Sequence, residues 1–146
     1  MAEALILDAE AVHSLAHSTE RGVLAHRARA ILAIAHERGA LVRIPAPVLA
    51  EVCRGARFDS AVNHLLSGRG IGVCDLTRPI AQRAGALLAR AQLSSQYAVD
   101  AFVVATALEF ATAVIATGDP SDVRRLATSH KQVSVFSLDA GGLTSR

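Results

Sequence analysis

Short apolar runs alternate along this chain with longer segments of helical period. Residues 4–7 (ALIL) form a buried-strand pattern that stops at Asp8. Leu24, Ala28, Ile31, Leu32 and Ala35 recur at helical spacing, and Gly39 ends that helix. LVRI (41–44) reads as a second strand. Pro47 can open a helix over VLAEVCR that Gly55 closes, and residues 58–67 read as another short helix. IGVCDL (71–76) is a third strand. Thr77 then caps a helix with Pro79 in its first turn and Ile80, Ala84, Leu87, Leu88 and Ala91 on one face. LSSQ (93–96) breaks the pattern before a strongly apolar helix, VDAFVVATALEF. TAVIATG (112–118) is a strand, DPSDVRRLATSH (119–130) a helix and QVSVFSL (132–138) a last strand. There is no internal repeat or linker. The alternation predicts an α/β fold with a mainly parallel sheet covered by helices on both faces.

Four acids interrupt this pattern where such a sheet builds sites, outside the carboxyl ends of its strands. Asp8 ends the first strand. Glu51 lies on the helix after the second. Asp100 lies in the first turn of the apolar helix, on one face with Val103, Val104 and Ala107, whereas Glu109 falls opposite. Asp119 follows the fourth strand. A carboxylate on a packed face costs several kcal/mol unless something pairs with it. Each acid also has a structural explanation. Asp119 can be an N-cap, with Pro120 as first helical residue and Asp122 three positions on, as in a capping box. Asp100 can complement a helix dipole. Glu51 can be a solvated helix residue, and Glu10 a local cap or surface residue.

Composition narrows the chemistry. The chain has 146 residues, 51% of them hydrophobic, which suits one domain spanning 1–146 with a core of its own. No apolar run approaches the roughly 20 residues of a membrane span, and MAEALILDAE is not a secretory signal. Cys53 and Cys74 show no pairing pattern and read as reduced core residues of a cytoplasmic protein. The six histidines (13, 17, 26, 36, 64, 130) lack zinc-site spacing and read as surface or substrate-facing groups. Carboxylates about 5 Å apart repel by roughly 3 kcal/mol per pair at an effective dielectric near 20. Hard cations make such a cluster tolerable, and all-oxygen ligation favours Mg²⁺ or Mn²⁺, ions suited to phosphodiester chemistry. The net charge is +2, and with the four acids set aside the remaining nine face 15 Lys and Arg, about +6. Fourteen of these are Arg, whose fork matches phosphate. With no Trp and one Tyr, base stacking is not the binding mode.

The runs ILDAEAV, PAPVLAEVCRG, SSQYAVDAFVVATALE and TGDPSDVRRL, in this order over residues 4–138, resemble the PIN-domain ribonucleases, and most of all the VapC-type toxins of bacterial toxin–antitoxin pairs. The resemblance implies a sheet of about five strands in the order 3-2-1-4-5. It implies that Asp8, Glu51, Asp100 and Asp119 are the catalytic and metal-holding acids. Thr117 matches the hydroxyl residue of the last turn and Asp122 a frequent extra acid, both supporting the ligands from behind. It further implies Mg²⁺-dependent (or Mn²⁺-dependent) RNA cleavage, a cognate VapB-type antitoxin and homodimers. Arg21, Arg27, Arg54 and Arg124 are candidates for a basic rim around the cleft. The family often has Ser or Thr just after its first Asp. This chain has Ala9 and Glu10, and Glu10 can add an outer carboxylate.

Two other readings fit parts of the sequence. LILDAEAV and GDPSD imitate the first and last acidic motifs of haloacid-dehalogenase-type phosphatases, with Asp8 as nucleophile. That chemistry needs a lysine before the last acidic turn, and the sole lysine, Lys131, comes after it. The other is a degenerate PIN-fold module that binds RNA or protein without cutting.

Overall fold

Four successive residues, Ala4 to Leu7, are each 2% exposed or less. Side chains alternate between the faces of a strand, so β1 (Glu3–Leu7) is covered on both. The computed structural model describes residues 3–17, 22–68 and 70–139. In it β1 pairs in parallel with β2 (Leu41–Pro45) on one side and β4 (Thr112–Thr117) on the other, with Leu5 opposite both Val42 and Val114. β3 (Ile71–Cys74) joins β2 and β5 (Val133–Ser137) joins β4, again in parallel. The order is β3-β2-β1-β4-β5, as the resemblance implies.

Helices make every crossover. α1 (Ala9–Ala16) and α2 (Gly22–Glu37) lead from β1 to β2, and α3 (Ala46–Val52) and α4 (Ala56–Leu66) from β2 to β3. α5 (Arg78–Ala91) and α6 (Ala98–Ala107) lead to β4, and α7 (Pro120–Leu126) leads to β5. Ala101 and every residue from Val103 to Ala107 are buried, so α6 is a central helix with no solvated stripe, packed on β1, β2 and β4. The chain steps outwards from β1 to β3 and returns on the other side of β1 as β4. Strand order therefore reverses between β1 and β4, which opens a crevice at their carboxyl ends. Among the described residues, no helix is long and apolar enough to cross a membrane.

Several boundaries differ from the sequence reading. α1 has no counterpart there. It is two turns long and rich in Ala, so it carries little periodic contrast, and its Asp8 cap lies at the strand end. α3 runs two residues earlier than expected and stops at Val52. Gly55, at φ +121°, turns the chain into α4 instead of closing α3. The helix expected over 119–130 stops at Leu126. Thr77 caps α5 as expected, accepting from the Ile80 N–H at 3.3 Å. Both cysteines are free, but each is half-buried instead of lying in the core. His17 is not a surface group either. It is 8% exposed, with its ring 4.6 Å from that of His13 and 5.4 Å from Phe58 of α4.

Arg27 of α2 ties the far edge of the sheet. Its Nε and Nη2 donate to the Ser137 carbonyl at 3.0 and 2.8 Å, and its guanidinium lies 4.7 Å from the Phe136 ring centroid. Arg27→Ala is expected to lower stability by about 2–3 kcal/mol, the sum of charged hydrogen bonds and a cation–π contact. The urea midpoint measures it. A loss below about 0.5 kcal/mol, the usual size for an inert surface change, would show the tie to be idle.

Candidate active site

The crevice is built from the ends of β1 and β4. Asp8 continues the sheet through its N–H to the Ala116 carbonyl at 3.2 Å, while its Oδ1 accepts the Ala11 N–H at 2.9 Å. One residue thus ends the strand and caps α1, which pins its carboxylate in a site only 6% exposed. Thr117 ends β4 and is fully buried. Its Oγ1 accepts the Asp119 N–H at 2.9 Å, and the same hydroxyl hydrogen-bonds the Asp8 carboxylate. It therefore bridges the two acids.

Five carboxylates line one cleft of about 400 Å³: Asp8, Glu10, Glu51, Asp100 and Asp119. They come from the end of β1, from α1, from α3, from the first turn of α6 and from the turn after β4. Val99 and Val103 give α6 an apolar wall beside Asp100, and none of the lining residues is basic. The tightest group is Asp100, Asp119 and Asp122, each offering an oxygen within 4.8 Å of the others.

Electrostatics bind these acids into one unit. Burial, and then repulsion from Asp119, Asp8, Asp122 and Glu51, together raise the Asp100 carboxyl to about 7. Burial outweighs the hydrogen bonds from Thr117 and from the Ala11 and Gly118 backbone, and with repulsion from Asp119 it leaves Asp8 raised to about 6. Asp119 is raised by desolvation, by its side-chain hydrogen bond with Asp122 and by the charges of Asp122 and Asp139. Clustered oxygen donors with no basic neighbour in the lining, destabilised by their own charge, fit a hard divalent cation.

The cleft thus brings together Asp8, Glu51, Asp100 and Asp119, with Thr117 behind them. Three details sharpen the sequence reading. Asp119 stands at the N-cap position of α7 but its side chain makes no cap hydrogen bond, so the capping-box expectation fails. Asp122 does not line the cleft but offers an oxygen within 4.8 Å of Asp100 and Asp119, close enough to share a cation with them. Glu10 faces the cleft across Gly118, where an added Cβ would lie 2.5 Å from its Cγ. The glycine after Thr117 was the available signal, since only a residue without a side chain allows that approach. None of the arginines considered for a basic rim lines the cleft itself among the described residues. Arg27 is committed to Ser137, Arg54 donates to the Ala50 carbonyl at 3.3 Å, and Arg124 lines a groove elsewhere. Arg21 lies outside the described residues.

Comparison with known proteins agrees with this architecture. A toxin–antitoxin complex from Klebsiella pneumoniae superposes with a TM-score of 0.60 at 17% identity, covering 88% of this chain and 94% of that one. VapBC2 from Rickettsia felis, bound to a DNA fragment from its promoter, gives a TM-score of 0.60 at 14% identity, covering 90% and 98%. At such identities the likeness is one of fold. No curated protein matches the sequence closely enough to count as a relative. The family model described as PIN domain matches residues 5–128, from β1 through α7 and so across every acid of the cleft, and the chain belongs to the PIN domain family.

Proposed function

We propose that this protein is a metal-dependent endoribonuclease, the VapC-type toxin of a type II toxin–antitoxin pair acting in the cytoplasm. The observation that carries the reading is the convergence of acids from separate elements on one cleft at the reversal point of the sheet. Asp8, Asp100 and Asp119 would hold Mg²⁺, or Mn²⁺ in its place, and Glu51 would hold a second ion or orient the attacking water. The bound metal supplies an activated water and charge stabilisation on the leaving oxygen. The chain's own residues do the positioning. Thr117 locks Asp8 against Asp119. α6 presents Asp100 from a buried, rigid helix, and Asp122 supports the pair from α7. No side chain becomes attached to phosphate.

The toxin role draws on the fold shared with the two complexes, and it calls for a VapB-type antitoxin that blocks the cleft and for a homodimer of this chain. The phosphatase reading has no support: Asp8 is buried under a hydrogen-bonded cap, and the sole lysine lies beyond α7. The test is purified protein on a mixed RNA substrate. Cutting is expected with Mg²⁺ or Mn²⁺, abolished by EDTA and restored by excess metal. RNA association without cutting under either ion would instead favour the degenerate binding module.

A further inference from the structure

We infer that the surface around the carboxyl end of α7 is a phosphate-backbone contact site for single-stranded RNA, separate from the acidic cleft. The inference rests on the ribonuclease reading. Two grooves, of about 530 and 460 Å³, adjoin there and share Thr128. Arg124, His130 and Lys131 line the first, Arg90 and Arg125 the second, and neither lining contains an acid. The chain from Val123 to Leu138 has no Asp or Glu at all.

Two of these cations, Arg90 and Arg125, are held in place by uncharged partners. Arg90 Nη1 donates to Ser129 Oγ at 2.9 Å, and Arg125 Nη2 to the Ala91 carbonyl at 3.0 Å. Among the described residues no carboxylate lies within 4.0 Å of Arg90, Arg125 or Lys131. Three exposed permanent charges therefore stand on one face, two of them fixed by uncharged partners, which lowers the entropy cost of meeting a polyanion.

The chemistry favours nucleic-acid backbone over a protein partner. Leu126, Ala127, Val133 and Val135 form the groove floors but are each 9% exposed or less, so they offer no apolar anchor. No Phe, Tyr or Trp lines either groove and His130 is the one ring there, so phosphate and sugar are the main contacts on offer. Ser129 and Ser134 supply hydroxyls of the kind that bind phosphate oxygens, whereas the Thr128 hydroxyl donates to the Arg124 and Arg125 carbonyls. Position completes the case. α7 begins beside Asp119 and ends at this surface, about 10 Å further on at 1.5 Å per residue. α7 leads from the carboxyl end of β4 back towards the start of β5, so a strand with its scissile phosphate in the cleft would follow that helix to meet these cations.

The test is fluorescence anisotropy with a 5′-fluorescein 20-nucleotide single-stranded RNA in EDTA, over a salt series. The triple variant Arg90→Gln/Arg125→Gln/Lys131→Gln is expected to bind about tenfold or more weakly, and to flatten the slope of log K against log salt by about 2, at roughly 0.7 per lost single-strand contact. Because Arg90 and Arg125 also tie α5 to the segment after α7, Lys131→Glu, whose side chain has no partner among the described residues, is measured alongside and should itself weaken binding several-fold. If the wild type cuts RNA with Mg²⁺ but both variants bind it with unchanged affinity and slope, the contact site is refuted and the ribonuclease reading stands. If the wild type neither cuts nor binds RNA, both fall. Equal binding of poly-glutamate, with equal loss in the variants, would overturn the RNA assignment in favour of an acidic protein partner.

Discussion

Asp8→Asn is expected to lower RNA cleavage by purified protein at least a hundredfold while RNA binding persists. Loss of an outer partner of a metal ligand costs about 10–100-fold, so a directly ligating carboxylate should cost more. Asn is a fair probe because it caps helices about as well as Asp and keeps the hydrogen bond to Ala11. The fold should survive, which a circular dichroism melt checks. Asp100→Asn should behave alike, since its carboxylate lies within the trio and is repelled by Asp119, Asp8, Asp122 and Glu51. Thr117→Val is the contrast. It removes the hydroxyl that joins Asp8 to Asp119 without removing a donor oxygen, and should fall in the 10–100-fold range. Equal rates for wild type and Asp8→Asn would mark the cutting as a contaminant and remove the support for the ribonuclease assignment.

The sequence disclosed the acids because they break a pattern. A strand that runs straight into Asp8, and an apolar helix with Asp100 on its packed face, stand out against their surroundings. The sheet was legible for the same reason: buried parallel strands are short apolar runs bounded by Gly, Pro and Asp. What stayed hidden lacks that contrast. α1 is eight residues of mostly small side chains, so neither its period nor its cap shows until Asp8 is seen to accept from Ala11. Local spacing alone reads Asp122 as a capping residue, and only the resemblance marks it as a supporting acid. Its place in the trio depends on how α7 leans on α6, a tertiary contact. The arginines fail differently. Their abundance was visible and suited phosphate, but which face each joins is set by packing. Arg27 is drawn to a backbone carbonyl 110 residues away, and Arg124 to a groove beside β5.

Without metal, Asp8→Asn and Asp100→Asn are expected to melt higher than wild type at pH 8. Asp8 ionises near 6 in the folded protein and Asp100 near 7, against 3.8 for a free side chain. Below about pH 4 both acids are protonated, folded or unfolded. Between pH 4 and 7 the folded protein holds protons that the unfolded chain has released, so folded stability declines as pH rises through that window. Above about pH 7 the penalty is complete. For Asp8, nearly sealed from solvent, it is roughly 3 kcal/mol. For Asp100 the charge is partly screened by the water it still meets, so its effect is smaller than its displaced ionisation suggests. The melting-temperature difference between Asp8→Asn and wild type should therefore be near zero at pH 4, grow through pH 5–7 and level off. Adding Mg²⁺ at pH 8 should reverse it. The wild type binds the ion and gains stability by mass action, while the variants gain less for want of a ligand. A wild type that Mg²⁺ leaves unmoved at pH 8, with Asp8→Asn melting many degrees lower in its absence, would identify Asp8 as a structural acid whose work is the cap on α1 alone.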